Sequence, residues 1–69
     1  MQELLIRERR TNFETQSDVA KLLGIDLRTY QNKEYGISQF KQNEMFILAK
    51  HYNKKIDEIF LPTNFMKYE

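Results

Sequence analysis

This 69-residue sequence predicts an all-α fold, a compact bundle of four to five short helices. Three observations predict it. Residues 16–35, QSDVAKLLGIDLRTYQNKEY, place Ala20, Gly24, Ile25 and Tyr30 where two short helices can pack closely across a tight turn. Further on, Met45, Leu48, Ala49 and Tyr52 repeat at helical spacing and form a core stripe. Two glycines and one proline are too few to mark a domain boundary, so the chain reads as one domain over 1–61 with a tail at 62–69.

The first helix is expected from about Gln2 to Thr11, with Leu5 and Ile6 inward and Phe13 anchoring the loop that follows. Thr15 and Asp18 make a capping box that starts the second helix near Gln16. Val19, Ala20 and Leu23 form its buried face, and the small Ala20 lets the next helix approach. Gly24 ends this helix, because the left-handed conformation there is nearly free only for glycine. Ile25 folds back as an apolar plug. Asp26 is a good N-cap for a third helix starting at Leu27, which turns Tyr30 inward and closes at Gly36.

Residues 37–41 form a connection with Phe40 as its anchor. The fourth helix carries the Met45 stripe, with Phe46 lying off it. A short fifth helix from about Ile56 to Leu61 adds Ile56, Ile59 and Phe60 to the core, and Pro62 stops it. The tail holds Phe65, Met66 and Tyr68, three large apolar side chains that need cover. They pack back on the monomer, form a dimer contact, or fray.

Leu27, Arg28, Gln31 and Asn32 remain for solvent or a partner. Arginine reads guanine edges, asparagine and glutamine read adenine edges, and a leucine can touch a thymine methyl. A third helix so presented, as the later member of a helix-turn-helix pair, can lie in the DNA major groove.

The segment TQSDVAKLLGIDLRTYQNKEYG resembles the core of the helix-turn-helix family of phage Cro proteins and repressors, the XRE family. IRERR resembles that family's first helix, and ILAKHYNKKIDEIF its closing pair. The resemblance runs from about Leu5 to Phe60 and implies a lambda-repressor-like DNA-binding domain. It puts Gln16, with Ser17 beside it, at a phosphate. Leu27, Arg28 and Asn32 fall at base-reading positions, and Thr29 and Gln31 at backbone or further base contacts. Lys41 would take another phosphate.

Some positions depart from the family pattern. Lys33 stands where an apolar residue is usual; its stem can cover apolar surface while its ammonium reaches water or phosphate. Ile37 replaces a frequent basic residue, Phe40 a proline and Lys54 a valine. The loop before Thr15 lacks the usual glycine and reads as one residue short.

Net charge is only +1, and the 16–36 unit is neutral: Lys21, Arg28 and Lys33 balance Asp18, Asp26 and Glu34. Arg7, Arg9, Arg10, Lys41, Lys50, Lys54 and Lys55 carry positive charge elsewhere. Few lysine or arginine phosphate contacts are therefore expected, with moderate salt dependence. Basic residues ending the first helix also suit its dipole. There is no cysteine, no apolar run of membrane-spanning length and no signal-peptide pattern, which points to the cytoplasm.

Catalytic patterns are missing. His51 is the sole histidine and reads as a surface side chain; Asp57 and Glu58 suit a helix's first turn. No metal spacing or phosphate loop occurs, so no metal, cofactor or small-molecule ligand is expected. The expected function is sequence-specific binding of a double-stranded DNA operator by a small Cro-like repressor of a phage or mobile element, with a homodimer as one form it can take. The alternative is a protein-interaction module on the same fold, such as an antitoxin or an anti-repressor partner.

Overall fold

The start of the second helix is fixed by a reciprocal pair of hydrogen bonds. The Asp18 N–H donates to Thr15 Oγ1 at 3.0 Å, and the Thr15 N–H donates to Asp18 Oδ2 at 2.9 Å. These bonds hold the Asp18 carboxyl below its ordinary pKa. In the computed structural model, which describes residues 1–61, five helices follow one another. They are α1 (Glu3–Thr11), α2 (Gln16–Leu23), α3 (Leu27–Tyr35), α4 (Gln42–Tyr52) and α5 (Ile56–Ile59). No strand occurs among the described residues.

Both glycines end helices in the left-handed region, Gly24 at φ 74° and Gly36 at φ 88°. After α2, the Ile25 N–H reaches back to the Ala20 carbonyl at 3.0 Å. That bond turns the chain sharply and brings α3 against α2. Asn53 does the same work at the end of α4, at φ 55°. The α4 and α5 starts each take a carboxylate from within the first turn. Glu44 accepts from the Lys41 N–H at 2.8 Å, and Glu58 from the Lys55 N–H at 2.7 Å.

The core is Leu5, Val19, Ala20, Tyr30, Phe40, Met45, Leu48, Tyr52, Ile59 and Phe60. Leu23, Ile25, Ala49 and Ile56 pack on its margin. Phe40 is the expected anchor of the α3–α4 connection. Its ring meets Tyr30 edge-on at 6.0 Å and Phe60 edge-on at 5.2 Å. Phe46 points away from the core and is 54 % exposed. α5 is shorter than its apolar pattern suggests: Phe60 leaves the helix at φ −124° yet stays buried. The Leu61 N–H is held instead by Gln2 Oε1 at 2.8 Å. Pro62, Phe65, Met66 and Tyr68 lie outside the described residues.

Phe13 does not anchor its loop. Its side chain is 94 % exposed, and its backbone sits at φ 58°. The loop needs a left-handed residue there to turn from α1 into Thr15, and the missing glycine leaves phenylalanine to supply it. That conformation carries a penalty of about 1–2 kcal/mol for an L-residue with a side chain. Phe13→Gly is expected to raise stability by roughly 0.5–1 kcal/mol, after glycine's greater unfolded-state entropy is subtracted. A thermal melt checks this; a lower midpoint would mean the phenyl ring contributes contacts that its exposure does not suggest.

Candidate DNA interface

α3 divides cleanly by side-chain chemistry. Tyr30, Lys33 and Glu34 are buried. Leu27, Arg28, Gln31, Asn32 and Tyr35 share an arc of about 140° on the other side, at 100° per residue. Leu27 and Arg28 are exposed, and Gln31 and Asn32 are half-buried. Leu27 with Gln31, and Arg28 with Asn32, are i, i+4 neighbours whose Cβ atoms lie about 5–6 Å apart. Thr29 is half-buried, and its hydroxyl holds the Asp26 carboxyl below the usual range.

Glu34 is the hub beneath this surface. Its Oε2 accepts from Arg9 Nε at 2.9 Å and from the Tyr30 hydroxyl at 2.7 Å. Its Oε1 accepts from Gln16 Nε2 at 2.7 Å, and Arg9 Nη2 approaches it at 3.5 Å. Arg9 Nη1 donates to the Glu14 carbonyl at 2.9 Å, so α1, the following loop, α2 and α3 meet at one carboxylate. Burial works against the Arg9 charge, but the Glu34 hydrogen bond and charge outweigh it and raise the guanidinium pKa. Burial, reinforced by Glu34, pushes the Tyr30 hydroxyl pKa well up, so it remains a donor. Every buried side-chain nitrogen and oxygen among the described residues has a partner.

The structure places the expected phosphate-contacting residues differently from one another. Gln16 and Ser17 are half-buried in the first turn of α2, and Lys41 is exposed just before α4. Gln16 is already engaged: it donates to Glu34 and accepts from Gln31 Nε2 at 3.0 Å. Lys33 corrects the expectation of an ammonium that reaches water or phosphate. Its Nζ lies 2.6 Å from Glu44 Oε1, and both side chains are buried. Glu44 holds it because the α4 N-terminus turns that carboxylate inward, where it also takes the Lys41 N–H. Phe65, Met66 and Tyr68, the expected dimer contacts, lie outside the described residues.

Arg9, Glu34 and Glu44 are the residues that sequence reasoning passed over. A signal for Glu34 was present: it stands four residues after the inward Tyr30, on the same helical face. Nothing comparable marks Arg9 or Glu44 before the helices are packed. Arg7 and Arg10 are exposed and line an open cleft of about 760 Å³ between α1 and α3, beside Gln16 and Tyr35. His51 lies on the outer side of α4, where Nε2 meets Glu14 Oε2 at 2.6 Å. The Tyr52 hydroxyl donates to the other Glu14 oxygen at 2.6 Å, and burial with that bond raises its pKa.

No group of histidine, cysteine or carboxylate side chains among the described residues could hold a metal ion. No helix among them is long and apolar enough to cross a membrane. No curated protein and no solved structure matches the chain significantly. The sequence model of the helix-turn-helix family matches residues 6–59, which takes in all five helices except the first three residues of α1. With that match over most of its length, and with α2 and α3 packed across the Gly24 turn, the chain belongs to the XRE-type helix-turn-helix family of DNA-binding regulators.

Proposed function

We propose that this protein is a small Cro-like repressor that acts in the cytoplasm and binds a short operator with α3 in the major groove. The observation that carries this reading is the outer arc of α3. Arg28 and Asn32 offer the side-chain chemistry that pairs bidentately with guanine and adenine edges, and Leu27 offers an apolar contact for a thymine methyl. The half-buried Gln31 lies between Leu27 and Arg28 on the same arc. Around it, Ser17 and the N-terminal turn of α2, the Thr29 hydroxyl and Lys41 supply phosphate contacts, with Arg7 and Arg10 at the flank.

The protein binds as a homodimer in this reading, with two α3 helices about 34 Å apart facing successive major grooves. Selection from a random duplex pool tests both parts together. The expected result is a consensus with two inverted half-sites one helical turn apart. An enriched pool with no preferred sequence would overturn the proposal, and a single half-site would overturn the dimer.

A further inference from the structure

The turn between α4 and α5, KHYNKK over residues 50–55, gathers positive charge that the α3 surface does not use. Asn53 ends α4 in the left-handed region, and the Lys54 N–H returns to the Ala49 carbonyl at 2.9 Å. That reversal folds the last turn of α4 against the residues that open α5. Lys50, Lys54 and Lys55 thereby line one open pocket of about 380 Å³, with Ala49, Asn53 and Glu58. All three lysines are exposed. Lys50 and Lys55 have no carboxylate partner among the described residues, and Lys54 meets Glu8 Oε1 only loosely, at 3.6 Å. Glu58, the acid among the lining residues, is committed to the Lys55 N–H at 2.7 Å. Lys50 suits the end of α4, but Lys54 and Lys55 stand at the start of α5, where a cation gains nothing from the helix dipole. Local structure therefore gives no reason for the cluster, and Lys54 is itself a departure from the family pattern.

The corner is separate from the outer arc of α3. α4 meets α3 on its inner face, where Lys33 holds Glu44 at 2.6 Å. Asn53 closes the other end of α4, about 13 Å further along the helix axis. There the chain packs toward α1, through Lys54 and Glu8. No large apolar side chain lines the pocket. A protein partner draws most of its affinity from an aromatic or similar anchor seated in a pocket, whereas a phosphate backbone needs charge alone. Lysine, a compact charge on a flexible stem, suits phosphates met without fixed geometry. We propose that Lys50, Lys54 and Lys55 form a second site for the phosphate backbone of duplex DNA. Combined with the reading of α3 as the major-groove helix, on which this part rests, the corner holds another duplex while α3 lies on its operator. Three lysines give a weak hold that exchanges quickly.

The test immobilises the selected operator duplex, saturates it with protein and offers a labelled random duplex. The wild type should capture the label, with an association constant that falls about 40-fold between 50 and 200 mM salt, the counterion release of three phosphates. The triple variant Lys50→Gln, Lys54→Gln, Lys55→Gln, checked for folding by helical circular dichroism, should capture about tenfold less label or lower still. Its operator affinity should stay within about twofold of wild type, since none of the three lysines lies on α3.

A wild type that captures no label at low salt would overturn the inference, as would a triple variant that captures as much as wild type. So would a triple variant that loses operator affinity and capture by one common factor, since the lysines would then belong to the operator surface. Binding of a polyglutamate peptide to the wild type but not to the variant, without capture of duplex, would overturn it in favour of an acidic protein segment. A wild type with no sequence preference would instead overturn the reading of α3 and leave the corner to be judged, because capture is read on whichever duplex is immobilised.

Discussion

Glu34→Ala is expected to destabilise the folded chain by about 3–5 kcal/mol, the usual consequence of removing one partner of a buried ion pair. Arg9 would keep its charge with no carboxylate to meet it, and the Tyr30 hydroxyl and Gln16 amide would lose their acceptor. The side chain is only 1 % exposed, so water cannot readily replace it. Small domains hold a total of roughly 5–15 kcal/mol, so this single change takes a large share. Urea unfolding followed by helical circular dichroism measures it. Glu34→Gln, which still accepts from Tyr30, should fall between the alanine variant and wild type. A loss under about 1 kcal/mol for the alanine variant would mean that Arg9 finds water or another acceptor, against the ordinary cost of orphaning a buried charge.

The second large effect lies on the surface. Arg28→Ala combined with Asn32→Ala should remove about 2–6 kcal/mol of base discrimination, from two bidentate pairs at about 1–3 kcal/mol each. Stability should change little, since Arg28 is exposed and the Asn32 side chain makes no hydrogen bond within the described residues. Competition between the selected operator and random duplex reads the outcome. The double variant should lose most of that preference, keeping only what the rest of α3 contributes, with residual affinity carried by the phosphate contacts. If operator preference survived undiminished, recognition would have to come from another surface or from operator shape.

Much of the scaffold was legible in the sequence because it rests on local rules. Thr15 and Asp18 are three residues apart and can satisfy each other's N–H groups in only one helical arrangement. Gly24 and Gly36 stand where helices need a left-handed residue. The Met45 stripe depends on periodicity alone. The buried charges were not legible, because their meaning is set by distance across the fold. Arg9 and Glu34 are 25 residues apart, and Lys33 and Glu44 are 11 apart. In sequence, each is simply one more charge to balance. Phe13 misled for a related reason: an aromatic residue near a loop reads as an anchor until the backbone demands a left-handed turn there.

The candidate site divides along the same line. Which residues of α3 face outward follows from Tyr30 facing inward. How Gln31 is held does not, because Gln16 and Glu34 come from other turns of the chain.

The two buried ion pairs have a kinetic consequence. Lys33 lies on the inner face of α3 and Arg9 packs beneath that helix, yet their charges are neutralised inside the domain by Glu44 and Glu34. Fewer mobile cations therefore remain to displace counterions from an arbitrary stretch of duplex. Residence on non-operator DNA should be brief, with frequent dissociation and rebinding rather than long sliding. Search time is then governed by encounter frequency and, on the proposed reading of α3, dwell at a site by how well its bases fit that helix.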